Sequence, residues 1–283
     1  MKKIAIIGHS HVVALVDALG PWRKLLNLEK DYHDNGYSRS FQGWYSVDSG
    51  RSTFELDPFE KFEIFRGAKI KVLTGGTRDG YILASLENGL NGQSLNITPV
   101  FQSFLNDAAE CDVVISLLHG GEHVIKTLLN DLPEYDFAPF DDISRGYRPI
   151  DSGYITQSVF TEIGLLAPGL LAMRKVLNNA RIIHILPPPP LEDPSKSNFL
   201  SNLDDLFQRY GFLRPNLRLK WYLYYANHLR TVLANLNVEV MDAGPEVLTQ
   251  NGFLRPELSE DLAHGNRRYG EFLAEKIMTA IQG

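Results

Sequence analysis

Three short polar segments of the chain carry residue types that can do chemistry. They are Gly8-His9-Ser10-His11, His119-Gly120-Gly121-Glu122-His123 and Asp261-Leu262-Ala263-His264-Gly265-Asn266. Serine is a weak nucleophile until a base takes its proton, and a histidine held by a carboxylate is such a base. Asp261 and His264 are spaced to act as orienter and base. The pattern therefore predicts nucleophilic catalysis by Ser10.

The elements that must position these segments are visible as apolar runs alternating with helical patterns. This alternation is typical of a parallel sheet covered by helices. The predicted strands are Ile4 to Ile7, Asp112 to Leu118, Arg181 to Leu186 and Val238 to Met241. Helical spacing of apolar residues predicts helices over Val12 to Leu19, Ile163 to Asn178, Leu217 to Leu236 and Asn266 to Ile281.

The predicted fold is α/β, a three-layer α/β/α sandwich with a doubly wound, flavodoxin-like parallel sheet of about five strands. In such a sheet, ligands bind beyond the carboxyl ends of the strands. Each of the three polar segments follows a predicted strand or opens a predicted helix. The fold would therefore bring together segments that stand far apart in the chain.

Residues 1–283 are predicted to form one domain with two insertions, around residues 131–153 and 187–215. The four prolines from Pro187 to Pro190 cannot continue a strand, so the chain must leave the sheet there. Between Tyr32 and Gly92 the pattern is less regular. Phe62 to Phe65 and Lys69 to Leu73 could form a hairpin or include the second parallel strand, and the sequence leaves both open.

Composition excludes several classes of protein. The net charge of -6 argues against a nucleic-acid partner, because phosphate binding needs a basic face. The one cysteine, Cys111, can form neither an internal disulfide nor a cysteine-based zinc cage. No uncharged apolar run reaches about 18 residues, and the first apolar stretch is too short for a signal peptide. We therefore expect a cytoplasmic protein without a membrane or nucleic-acid partner; its oligomeric state stays open.

The segments Ile6-Ile7-Gly8-His9-Ser10 and Asp261-x-x-His264-x-Asn266 resemble the first and last motif blocks of the SGNH/GDSL hydrolase superfamily. The resemblance implies that Ser10 is the nucleophile, His264 the base and Asp261 its orienter. It further implies hydrolysis or transfer of an ester acyl group through an acyl-serine intermediate, as in carboxylic ester hydrolases, without a cofactor. By analogy with the family, the substrate is a small acyl group on a carbohydrate or a similar polar carrier.

The chain departs from the family pattern at two places. His9 replaces the aspartate that precedes the family's serine, and Gly121 or Glu122 stands where the third block supplies an oxyanion-hole asparagine. Neither residue has a side-chain amide, so another donor is needed. The residues expected to line the oxyanion hole or contact the substrate are Gly8, His9, Gly120, Gly121, Glu122, His123 and Asn266.

Two other functions remain open from the sequence. The imidazoles of His9, His11, His119 and His123 could ligate zinc, iron or manganese in a metal-dependent hydrolase, although their spacing matches no standard metal motif. Alternatively, the chain could keep the fold without catalysis and bind a glycan or a protein partner. In that case Ser10 would serve only as a helix N-cap.

The sequence predicts different roles for two groups of aromatic residues. Trp221, Tyr222, Tyr224 and Tyr225 recur at helical spacing, which favours core packing or a dimer face over sugar stacking. Trp44, Tyr45, Tyr135, Phe137 and Phe140 are better placed for a lid or a wall of the acceptor site.

Overall fold

The structure of the chain is a computed structural model. It describes residues 2–8, 11–19, 22–26, 51–56, 69–75, 84–89, 92–118, 134–138, 146–196, 209 and 211–282.

A seven-stranded sheet lies at the centre of the molecule, in the order β11-β10-β7-β1-β4-β3-β2. The strands, in chain order, are β1 (Lys3–Gly8), β2 (Trp22–Leu26), β3 (Arg51–Leu56), β4 (Lys69–Gly75), β5 (Ala84–Gly89), β6 (Gly92–Ile97), β7 (Val113–Leu117), β8 (Tyr135–Asp136), β9 (Arg148–Pro149), β10 (Arg181–Ile185) and β11 (Glu239–Met241). Strands β1, β4, β7, β10 and β11 are parallel, and β2 and β3 extend the sheet antiparallel beyond β4. The five parallel strands have the flavodoxin-like order, as predicted.

Helices cover both faces of this sheet. They are α1 (Val12–Leu19), α2 (Pro99–Ala108), α3 (Ser152–Val176), α4 (Pro215–Asn235) and α5 (Arg267–Gln282). Ile4 and Ile6 of β1 pack with α1 and α5, whereas Ala5 and Ile7 pack with α2, α3 and α4. This alternation follows from the two-residue period of a strand, and it confirms the three-layer α/β/α sandwich.

Strand β4 resolves one alternative that the sequence left open. Lys69–Gly75 pairs in parallel with β1 and antiparallel with β3, so this segment is the second parallel strand. The other half of the alternative, Phe62 to Phe65, lies outside the described residues. The pattern was ambiguous because the two lysines of β4 interrupt the apolar run that marks the other central strands.

Helix α3 begins eleven residues earlier than the apolar pattern indicated. The Asp151 carboxylate accepts hydrogen bonds from the backbone N–H groups of Gly153 (2.7 Å) and Tyr154 (3.3 Å), which caps the helix at its first turn. By length and composition alone this helix is long and apolar enough to cross a membrane, although Glu162 breaks its uncharged run. Eight of its residues are buried within the protein.

The four aromatic residues of α4, from Trp221 to Tyr225, pack in the core. The Trp221 indole donates to the Tyr135 hydroxyl at 3.0 Å, and the Phe137 ring meets the Trp221 ring edge-on at 5.3 Å. Tyr135 and Phe137 are buried, so the prediction that they form a lid is wrong for these two residues. Their aromatic partner Trp221 lies 86 positions after Tyr135 in the chain, which the local pattern does not reveal. Trp44, Tyr45 and Phe140 lie outside the described residues.

Buried charged residues of α4 hold the described parts of the two predicted insertions. Arg218 donates to the carbonyl oxygens of Leu213 (2.9 Å), Leu191 (2.6 Å) and Glu192 (2.8 Å), and burial lowers its pKa to about 10. Lys220 donates to the Asp136 carboxylate at 2.9 Å. These bonds satisfy charges that would otherwise be costly to bury.

Glycine allows α1 and α5 to pack backbone against backbone. A Cβ atom on Gly270 would lie 1.8 Å from the Ala14 carbonyl oxygen, far inside van der Waals contact. Gly8 is similarly confined, because a Cβ there would lie 2.6 Å from Val12 Cγ2 and 2.7 Å from the Leu117 carbonyl oxygen. The end of β1 and the two helices beside it therefore require glycine for steric reasons.

Replacing Gly270 tests this close approach. We expect Gly270→Ala to lower the free energy of unfolding by about 1–3 kcal/mol, because the added methyl group must push the helices apart. Gly164→Ala is the matched control: it lies in α3 with open space around it, and alanine there should stabilise by about 0.5–1 kcal/mol. Urea unfolding measures both, and equal midpoints for Gly270→Ala and the wild-type protein would contradict the steric argument.

The buried pair Ser116 and His184 predicts a pH-dependent stability. The Ser116 hydroxyl lies 3.1 Å from His184 Nδ1, and burial lowers the pKa of His184 to about 3. Between that value and the ordinary 6.5, the unfolded chain binds a proton that the folded protein does not. Stability should therefore fall as the pH falls, by about 2 kcal/mol from pH 7 to pH 5. His184→Gln should lack this component, so urea unfolding that shows the same loss in both proteins would contradict the assignment.

Candidate active site

Asp261 and His264 form a hydrogen-bonded pair. His264 Nδ1 lies 2.7 Å from Asp261 Oδ2 and 2.8 Å from Oδ1. The Oδ1 atom also accepts the backbone N–H groups of Ala263 (2.7 Å) and His264 (2.8 Å). Both side chains are about one-sixth exposed, so the pair is sheltered but within reach of solvent. The predicted orienter and base are thus in hydrogen-bond contact.

The charge state of the pair follows from these contacts. Burial of the Asp261 carboxyl opposes its ionisation, but the hydrogen bonds from His264 and from the two backbone amides outweigh burial and lower its pKa. An ionised carboxylate can only accept hydrogen bonds, so the neutral imidazole carries its proton on Nδ1. Its Nε2 atom then holds the lone pair, which is the form that a general base needs.

The neighbouring carboxyl group of Glu260 interacts with both members of the pair. The pKa of Glu260 is raised by burial and by repulsion from Asp261, whereas His264 lowers it. Glu260 therefore ionises less readily than an ordinary glutamate.

The ring of His264 packs against the ring of His11. Their centroids are 4.4 Å apart and their planes are tilted by 39°. His11 is buried and stands directly before α1, whereas His264 stands in the loop before α5. The structure therefore brings the first and third polar segments together, although they are 253 positions apart in the sequence.

Several residues predicted for the site lie outside the described residues. They are His9, Ser10, His119, Gly120, Gly121, Glu122 and His123, so their roles remain predictions. Gly8 is described, and it ends β1 where a side chain would not fit. In the described parts of the chain, no group of three or more His, Cys, Asp or Glu residues could hold a metal ion.

Asn266 has contacts that the sequence did not reveal. Its amide nitrogen donates to the carbonyl oxygens of Glu257 (2.9 Å) and Ser259 (3.3 Å), and its side-chain oxygen accepts from the backbone of Arg268 (3.0 Å) and Tyr269 (3.2 Å). Both amide hydrogens are thus already donated. The contact of Asn266 with a substrate or an oxyanion stays a prediction, and within the protein both donors of its amide already have partners.

Sequence reasoning missed two further residues around the pair. Ser259 is buried and donates its hydroxyl to the Asp261 carbonyl oxygen at 2.5 Å. Gly270 lies in the second turn of α5, where it makes the close approach to α1. A glycine inside a helical pattern costs helix stability, so Gly270 was a local signal of close packing, although Gly164 shows the same signal in open space. Nothing local distinguishes Ser259 from an ordinary loop serine.

Comparison with known proteins gives structural matches only. No family model matches the chain, and no curated protein matches it. The periplasmic domain of a lipopolysaccharide acetyltransferase from Salmonella ser. Paratyphi A is 14% identical with a TM-score of 0.47, over 100% of this chain and 85% of that chain. A carbohydrate acetylesterase from Sinorhizobium meliloti is 13% identical with a TM-score of 0.40, over 99% of both chains.

A GDSL-like lipase from Bacteroides thetaiotaomicron is 10% identical with a TM-score of 0.40, over 99% of this chain and 88% of that chain. These three proteins are an acetyltransferase, an esterase and a lipase. At these identities and TM-scores, what the site can do follows from the chain's own residues and geometry.

Replacing Asp261 tests its role as orienter. Asp261→Asn keeps the oxygen that accepts the two backbone amides but turns an NH2 group toward His264, which favours the wrong tautomer. We expect kcat for an activated ester such as 4-nitrophenyl acetate to fall by about 10²–10⁴-fold with the fold intact. Asp193→Asn, a turn carboxylate that likewise accepts a backbone amide, is the matched control and should keep full activity. Equal kcat values for the two variants would exclude the role of Asp261.

Proposed function

We propose that the chain is a serine-dependent ester hydrolase or acyltransferase, with Ser10 as nucleophile, His264 as general base and Asp261 as its orienter. One observation carries the proposal. The Asp261–His264 pair is already hydrogen-bonded, and its imidazole packs on His11, the residue that the peptide chain joins directly to Ser10. His264 therefore contacts the residue that follows the proposed nucleophile in the sequence, which supports the proposal.

In the proposed reaction, Nε2 of His264 takes the hydroxyl proton of Ser10 as Oγ bonds to the ester carbonyl carbon. The carbonyl electron pair moves onto oxygen and returns as the bond to the leaving oxygen breaks. The leaving alcohol takes the proton from His264, and the acyl group remains on Ser10. Water or an acceptor hydroxyl then attacks the acyl carbonyl carbon while His264 takes its proton. The bond to Ser10 Oγ breaks, Ser10 takes the proton back from His264, and the acyl group leaves on the attacking oxygen.

The oxyanion must be stabilised without the family's asparagine side chain. Helix α1 begins at Val12, two residues after Ser10, and the first amides of a helix have no partner within it. These amides and the helix dipole favour negative charge at that end. We propose the backbone N–H of Ser10 and that of a loop glycine, Gly120 or Gly121, as the donors.

The proposed substrate is a small acyl group carried by a carbohydrate or a similar polar molecule, as the resemblance to the SGNH/GDSL hydrolases implies. Release of acetate from O-acetylated sugars tests this part separately from the serine chemistry. An activated serine that cleaves only simple aryl esters would overturn the carbohydrate substrate and leave the serine mechanism in place.

Fluorophosphonate labelling tests the serine mechanism. Ser10 Oγ should bond to phosphorus as fluoride leaves, with His264 taking the serine proton. We expect stoichiometric modification that peptide mass spectrometry maps to Ser10. The label should be lost in Ser10→Ala and His264→Ala, and it should persist in His228→Ala, whose ring packs on α4 against Tyr224.

Two outcomes would overturn the proposal. A folded wild-type protein that takes no label but loses ester hydrolysis on treatment with a chelator would favour the metal-dependent alternative. A folded protein that takes no label, cleaves no ester in a broad panel and binds glycan equally well as Ser10→Ala would favour the non-catalytic alternative.

A further inference from the structure

The loop that carries Asp261 and His264 is closed on itself by backbone hydrogen bonds. The backbone N–H of Glu260 donates to the His264 carbonyl oxygen at 2.9 Å, and that of Asn266 donates to the Leu258 carbonyl oxygen at 2.9 Å. Ser259 and Gly265 face each other in an isolated antiparallel bridge. The loop is therefore closed within the nine residues from Leu258 to Asn266.

The Asn266 side chain connects this loop to helix α5. Its oxygen accepts two amides of the first helical turn, as an N-cap does, while its nitrogen donates to two carbonyl oxygens on the opposite strand of the loop. All four hydrogen-bonding positions of the amide are occupied by backbone groups. An N-cap needs only the oxygen, so the two donated bonds require another explanation.

We propose that Asn266 is a positioning residue that fixes the Asp261–His264 pair relative to α5, a role that rests on the proposed function. The two donated bonds hold the segment before the loop, and the two accepted bonds hold the first turn of α5, which follows the loop. Helix α5 in turn contacts the backbone of α1 through Gly270. Asn266 therefore links the base to the helix that follows Ser10.

The size of the expected effect follows from the geometry of proton transfer. A general base acts only within hydrogen-bond reach of the proton it takes. Misplacement by about 1 Å costs on the order of 10²-fold in rate. The Asn266 donors should therefore affect kcat much more than KM.

Two substitutions distinguish the role of the Asn266 amide N–H donors from the role of its helix-capping oxygen. Asn266→Asp keeps the length and the capping oxygen but has no N–H to donate, and Asn266→Ser is an uncharged cap that is too short to reach the carbonyls. We expect both variants to unfold within a few degrees of the wild-type protein and to lower kcat about 10- to 100-fold, with KM changed less than twofold. If both variants lower kcat to the same extent, the added charge of aspartate is excluded as the cause of the fall.

Thr98→Ala is the matched control for the loss of a helix cap. Thr98 caps α2 by accepting the Phe101 amide at 3.3 Å, and its loss should lower thermal stability without lowering kcat. Wild-type kcat in Asn266→Asp and Asn266→Ser would overturn the proposal. A fall in kcat that Thr98→Ala reproduces at the same loss of stability would overturn it as well.

A spectroscopic readout keeps this result distinct from failure of the proposed function. The proton on Nδ1 of His264, bonded to the Asp261 carboxylate, should give a downfield proton NMR signal that is absent in Asp261→Asn. We expect the signal to broaden or disappear in the two Asn266 variants and to persist in Thr98→Ala. If the wild-type protein is inactive and unlabelled, the proposed function fails, while an unchanged signal in the Asn266 variants independently rejects the positioning role.

Discussion

The backbone contact between α1 and α5, at Ala14 and Gly270, sets the spacing on which the candidate site depends. Helix α1 begins directly after His11, and α5 follows the loop that contains His264. The two helices touch backbone to backbone on one face of the sheet, and the rings of His11 and His264 pack against each other. Any side chain at Gly270 would push α5 away from α1, so the packing of the two helices constrains the position of His264.

The rest of the molecule holds α1 and α5 in this contact. Strand β1 lies between β4 and β7, and its side chains are covered on both faces, so the end of β1 is held by the centre of the fold. The loop that carries Asp261 and His264 adds its own backbone bonds and the Asn266 side chain. A site supported by rigid elements keeps its geometry without a bound substrate, which is what general base catalysis requires.

The fold and the central pair could be predicted from the sequence because both leave local signals. The central strands other than β4 appear as largely apolar runs, and Asp261 and His264 lie three residues apart before a clear helical pattern. The role of Asn266 could not be predicted, because a helix cap and a substrate ligand look alike until the partners of the amide nitrogen are known. The antiparallel strands β2 and β3 and the burial of Phe137 likewise depend on partners distant in the chain, which periodicity does not encode.

The hydrogen bonds that Arg218 makes have a consequence for tolerance to mutation. All three of its acceptors are main-chain carbonyl oxygens, in the segments around Leu191 and Leu213. Any amino acid except one that distorts the backbone offers the same carbonyl. The three bonds of Arg218 are therefore indifferent to the side chains at their acceptor positions. The burial of Leu191 and Leu213 in the core is what restricts substitution at those two positions.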